Sequence, residues 1–127
     1  MERVIGLGGI FFKSSDKKSL AEWYKKHLGL PVDDWGGAVF PWATLAQKNE
    51  KAYTVWSAFS NDSTYFEPSG KSFILNFVVK DLTTLLETLR KEGVQVMDKT
   101  DESEYGKFGW IVDPEGNKIE LWEPPAV

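Results

Sequence analysis

The sequence predicts an α+β fold in which two βαβββ repeats form a curved mixed sheet around a trough. Two observations carry this expectation. Phe40-Pro41-Trp42, running on to Val55-Trp56, returns as Phe108-Gly109-Trp110, running on to Leu121-Trp122. Asp16 and Asp81, each closing an apolar run, lie 65 residues apart; Trp42 and Trp110 lie 68 apart, and Trp56 and Trp122 66. So steady an offset marks two copies of one unit. The copies are residues 4–59 and 72–124, joined by the polar linker 60–71, in a single domain covering 1–127.

Val4–Phe12, apolar and glycine-rich, reads as the first strand. Asp16 stands where a helix N-cap belongs, its carboxylate placed to accept from free first-turn amides. Leu20, Tyr24 and Leu28 recur every four residues beside Trp23, so one face of a helix over 16–28 is buried. Gly29 ends that helix in the left-handed role. Val32, Ala38–Ala43 and Tyr53–Phe59 complete the first copy as strands, the last two joined by Gln47–Lys51. In the second copy Phe73–Val79 is a strand and 81–92 a helix with Leu82, Leu85, Leu86 and Leu89 on one face. Val94–Met97 is a short strand. Phe108–Val112 and Lys118–Trp122 flank Asp113-Pro114-Glu115-Gly116-Asn117, whose proline and glycine make a hairpin turn. Each βαβββ unit covers one sheet face with its helix and leaves the other face over. Two such faces set side by side curve into a shared trough, a place where small-molecule pockets form.

Length and composition narrow the function. With 127 residues the chain can bury a core without staples, and 42% hydrophobic with 27% charged residues is ordinary for a globular protein. No cysteine is present, which removes disulfides, thiolate metal sites and thiol nucleophiles. A net charge of −4 without basic clusters argues against a nucleic-acid partner. The longest apolar run, Val4–Phe12, is too short to span a bilayer. With no signal peptide ahead of it, the expectation is a cytoplasmic protein without a membrane partner.

The tail FGWIVDPEGNKIELWEPP, Phe108–Pro125, and the helix ending His27-Leu28-Gly29-Leu30 resemble the vicinal oxygen chelate superfamily. That superfamily holds glyoxalase I, bleomycin-resistance proteins, extradiol dioxygenases, fosfomycin-resistance proteins and methylmalonyl-CoA epimerase. The resemblance runs from about Val4 to Pro124 and implies the glyoxalase/bleomycin resistance/dihydroxybiphenyl dioxygenase fold. It also implies a homodimer. In metal-dependent members each repeat supplies one ligand from its first strand and one from its last. Carried over, those positions are Gly9, Thr54, Ile74 and Glu120. Glycine and isoleucine have no donor atom and a neutral threonine hydroxyl is a poor one, so Glu120 alone is a retained ligand type. A catalytic divalent site needs three imidazole or carboxylate ligands with one open position. No cofactor is therefore expected. A divalent metal would enter only through displaced ligands such as Glu102 or Glu104. His27, the single histidine, is expected to meet the helix dipole and solvent.

Strand alternation places Phe11 and Lys13 on the face of Gly9, Asn76 and Val78 on that of Ile74, and Trp56 on that of Thr54. Lys118 and Trp122 share the face of Glu120. The candidate ligand-binding residues are Phe11, Lys13, Thr54, Trp56, Asn76, Trp122, Tyr105 and Trp35, with Tyr65-Phe66 of the linker also placed to close the trough. Trp56 and Trp122 fit core as well as lining. Asn76 fits a satisfied structural amide as well as a ligand contact. Glu120, set between Ile119 and Leu121, needs either a lysine such as Lys13 or a wet, ligand-holding cavity; the cavity is the preferred reading.

The leading function is a small-molecule binder like the bleomycin-resistance branch, its ligand a small organic compound, with cationic aromatics among the candidates. The alternative is a glyoxalase-, isomerase- or dioxygenase-type enzyme with Glu120 as acid or base or in a displaced metal site. A scaffold whose trough is filled by its own side chains is the third reading.

Overall fold

A computed structural model describes Arg3 and residues 7–126. It contains helices α1 (Lys17–Leu28), α2 (Trp42–Lys48) and α3 (Leu82–Lys91). Its strands are β1 (Leu75–Val78), β2 (Gln95–Ser103), β3 (Gly106–Val112) and β4 (Lys118–Glu123). They form an open mixed sheet in the order β1-β4-β3-β2, with β1 parallel to β4 and the other pairs antiparallel. The α+β class stands, and the second copy alone builds this sheet.

Asp16 caps α1 as the sequence predicts, and Asp81 caps α3 in the same way. Asp16 accepts from the Ser19 amide at 3.1 Å, and Asp81 from the Thr84 amide at 3.1 Å and its hydroxyl at 2.9 Å. These bonds hold both carboxyls below their usual range and supply acceptors that the first helical turn lacks. Gly29 closes α1 at φ 65°. The turn from Asp113 to Asn117 is organised by Asp113, whose carboxylate accepts from the Glu115 and Asn117 amides and from the Asn117 side chain.

Helices α1 and α3 cover one sheet face. Leu20, Tyr24, Leu82, Leu86 and Leu89 meet Leu75, Ile111, Ile119 and Leu121. Leu89, Ile111, Ile119 and Leu121 are fully buried, each stabilising the fold by roughly 1.5–3 kcal/mol. Gly109 lets α3 approach closely: a Cβ there would lie 2.9 Å from Leu86 Cδ1.

Two expectations are corrected. First, Val94–Met97 is the start of a nine-residue strand, Gln95–Ser103, because Gly106 at φ 114° turns the chain back and Thr100–Ser103 pair with Gly106–Gly109. Glu102 and Glu104 thus sit at a hairpin tip, Glu102 opposite Lys107.

Second, the first-copy strands do not form a ladder among the described residues. Val4–Gly6 lie outside those residues, and Leu7–Phe12 belong to no helix or strand among them. Val32 and Ala38 make one isolated bridge. The expected strand Ala38–Ala43 gives way to α2. Pro41 has no amide for a ladder, stands at the N-cap with φ −61°, and is followed by Trp-Ala-Thr-Leu-Ala-Gln-Lys, mostly good helix formers. Tyr53–Phe59 has strand composition but no ladder partner among the described residues, and composition alone does not hold a strand. Among the described residues no helix is long and apolar enough to cross a membrane.

Candidate functional site

The sheet face turned away from α1 and α3 carries the candidate site. Register sets its first row: Asn76 on β1 lies beside Glu120 on β4, which lies beside Trp110 on β3. The next row is Val78, Trp122 and Phe108, and Lys118 pairs with Val112. Alternation along β4 therefore puts Lys118, Glu120 and Trp122 on this face while Ile119 and Leu121 enter the core.

Glu120 is half-buried and bonded through both oxygens. Oε2 accepts from Asn76 Nδ2 at 2.6 Å, and Oε1 accepts from Trp110 Nε1 at 3.1 Å and from the Tyr65 hydroxyl. All three donors are neutral groups that satisfy the carboxylate in place of water. The lysine partner considered for Glu120 is not among these donors, and Lys13 is exposed. Tyr65 comes from the linker. Burial and the adjoining Glu120 push its phenol ionisation far up, which keeps the hydroxyl a donor.

Lys118 is buried and donates Nζ to the Tyr65 carbonyl. Its ammonium stands 4.9 Å from the Tyr65 ring centre and 5.6 Å from that of Trp110, a cation–π arrangement. Burial lowers its pKa, while the charge of Glu120 opposes that shift. Tyr65 also stacks on Phe59 at 5.4 Å and meets Trp110 edge-on at 6.1 Å. Trp122 packs against Tyr53 at 5.0 Å and donates Nε1 to the Tyr105 carbonyl at 2.7 Å.

Of the residues singled out from sequence, Asn76, Lys118, Glu120 and Trp122 share this face, Tyr65 covers it, and Tyr105 reaches it through its backbone carbonyl. The remaining ones lie on the surface: Phe11 is 96% and Trp56 81% exposed, and Trp35, Lys13 and Thr54 are exposed too. Asn76 is a satisfied amide, donating to the candidate carboxylate. Sequence reasoning did not place Trp110 beside Glu120. The signal was there: counting outward from the Asp113–Asn117 turn pairs Val112 with Lys118, Ile111 with Ile119 and Trp110 with Glu120.

The donor set does not fit the divalent metal that the resemblance implies. Gly9 offers no side chain, Ile74 no donor, and Thr54 a neutral, exposed hydroxyl. Glu120 already serves three donors. Among the described residues no three His, Cys, Asp or Glu side chains come together around a common point. His27 departs from the expected solvent role: its side chain is only 10% exposed, its Nδ1 lies 2.8 Å from Glu92, and Trp23 packs at 5.1 Å. Glu92 follows α3, so this contact ties the two copies together.

Comparison with known proteins agrees with this architecture. A family profile described as a glyoxalase-like domain matches residues 9–122. No curated protein matches the chain. A protein of unknown function from Agrobacterium tumefaciens str. C58 is 16% identical over 98% of each chain, with a TM-score of 0.61. A member of the glyoxalase/bleomycin resistance protein/dioxygenase superfamily from Sphaerobacter thermophilus DSM 20745 is 20% identical, covering 87% of this chain and 90% of its own, at TM-score 0.50. A glyoxalase-related enzyme from Fulvimarina pelagi is 20% identical, covering 98% of this chain and 90% of its own, also at 0.50. At these identities the likeness to solved structures is one of fold.

Proposed function

The chain belongs to the glyoxalase-like domain family of the vicinal oxygen chelate superfamily, and from that premise we propose that it binds a small organic ligand on the face around Glu120 without the usual metal site. The observation that carries this reading is the setting of Glu120: a carboxylate on an aromatic wall of Trp110, Tyr65, Phe59 and Trp122, oriented by the Asn76 amide. Few polar groups on an apolar wall is how such pockets fix a ligand's orientation. The carboxylate and rings favour a cationic aromatic compound whose charge is set toward Glu120 and away from the Lys118 ammonium that already faces Tyr65 and Trp110.

Tryptophan-fluorescence titration with the ethidium cation, checked by calorimetry, tests this. Glu120→Gln removes the negative charge and keeps the shape, so its affinity should fall about tenfold or more, about 1.4 kcal/mol. Measurable and equal affinity in the two proteins overturns the reading.

One observation favours the enzyme alternative: Glu120, the carboxylate that would act as acid or base, has the Tyr65 hydroxyl directly on it as a hydrogen-bond donor. In an enzyme Glu120→Gln abolishes turnover; in a binder there is no turnover to lose. Self-association is part of the proposed reading. The first copy exposes Ile10, Phe11, Phe40, Trp42 and Val55, apolar side chains that a second copy would cover. Sedimentation equilibrium at micromolar concentration should give a dimer mass.

A further inference from the structure

The Glu120 site is filled by the chain's own linker, and we infer that Tyr65 is an internal plug which a ligand must displace. The inference rests on the binding reading above and adds its regulation. Tyr65 occupies the position a ligand would take, with its hydroxyl on Glu120 Oε1, its ring below the Lys118 ammonium and its edge toward Trp110. Lys118 holds it a second time through the Tyr65 carbonyl.

The segment carrying Tyr65 is built to leave. Its backbone bonds are local turns, Ser63 to Ser60, Glu67 to Thr64 and Ser69 to Phe66, and no part of it is helix or strand. Lifting it breaks no ladder bond of the sheet. What it gives up is the hydroxyl bond to Glu120, the ring contact with Trp110, and the Lys118 ammonium's bond to the Tyr65 carbonyl and contact with its ring; a donor-bearing aromatic ligand restores the bond to Glu120 and the ring contacts in kind. Trp110 and Asn76 remain on the carboxylate throughout and keep it aimed.

A plug of this kind lowers apparent affinity by the fraction of molecules in which it is open. Removing the hydroxyl alone raises that fraction while leaving the ring stack with Phe59. Tyr65→Phe should therefore bind ethidium at least about fivefold tighter than the native protein. In the native protein, ethidium should also raise amide hydrogen exchange at residues 63–67. Binding by Tyr65→Phe but not by the native chain supports the plug still more directly. Equal or weaker binding by Tyr65→Phe overturns it.

Failure of both proteins to bind ethidium sinks the binding reading instead. The plug is then decided on the free protein, from the Trp110 indole N–H resonance and the exchange of residues 63–67. Tyr65→Phe should shift that resonance and speed that exchange. If neither changes, the contact does not hold the linker and the inference fails.

Discussion

Tyr24 of α1 donates its hydroxyl to Asp113 Oδ2 at 2.7 Å, joining the first copy's helix to the second copy's closing turn. Both groups are buried, and Asp113 also organises the turn through Glu115 and Asn117. Burial first, and the bond to Asp113 second, push the Tyr24 phenol ionisation far above its ordinary value. A raised folded pKa contributes stability that is whole below the unfolded value, about 10, and fades as pH climbs beyond it. Native stability should thus fall steadily above about pH 10, with part of that slope missing in Tyr24→Phe. At neutral pH the same variant should lose about 1.5–3 kcal/mol, the range for a hydrogen bond to a charged group. Urea melts between pH 7 and 11 measure both effects.

Glu115 extends that connection from the opposite side of the turn. It accepts from the Ser14 hydroxyl at 2.7 Å and from the Ser15 and Asp16 amides at 3.1 and 3.3 Å. These bonds hold its pKa below the usual glutamate value, so their contribution is present above about pH 4.3 and disappears as pH falls through the lower folded value. Glu115→Gln should flatten the acid limb of the stability curve. Hydrogen exchange should also quicken at Ser15 and Asp16, since a neutral amide oxygen accepts more weakly than a carboxylate. Thermal melts from pH 2 to 7, with amide exchange by NMR, test the pair.

Gly109 is a packing requirement. An added Cβ would lie 2.9 Å from Leu86 Cδ1 and 3.4 Å from Leu82 Cδ1, both on the buried face of α3. Gly109→Val forces α3 off the sheet and should destabilise by about 1–3 kcal/mol, the usual cost of overpacking. A companion Leu86→Ala that makes room should recover part of the loss. A double-mutant cycle in urea gives the coupling.

The second copy was readable because its signals are local and agree with one another. Asp81 caps, Leu82, Leu86 and Leu89 line one helical face, and Asp113-Pro114-Glu115-Gly116-Asn117 closes a hairpin whose register then follows by counting. Glu120 stood out for a similar reason, a charge inside an apolar strand. The first copy was less legible. Phe40-Pro41-Trp42 matches Phe108-Gly109-Trp110 by spacing, yet proline has no amide for a ladder while Gly109 serves as the point where α3 descends on the sheet. Tyr65 was placed only as a residue that could close the trough. Its meeting with Glu120, 55 positions on, is set by how the linker crosses the sheet, and no local pattern encodes that.

Trp56 and Trp122 occupy matching places in the two copies and could each have been core or lining; the structure separates them. Trp122 is 4% exposed, bonded to the Tyr105 carbonyl and packed on Tyr53, whereas Trp56 is 81% exposed. Trp122→Ala should destabilise by about 3–5 kcal/mol, since it leaves a large cavity and an unanswered carbonyl. Trp56→Ala removes little buried area and should stay within about 0.5 kcal/mol of the native protein. Urea denaturation of both variants tests this directly. A large loss in Trp56→Ala would mean that the first copy buries that ring in solution, by pairing within the chain or with a second copy. Sedimentation of the variant would separate those cases, because only pairing between chains makes the loss depend on protein concentration.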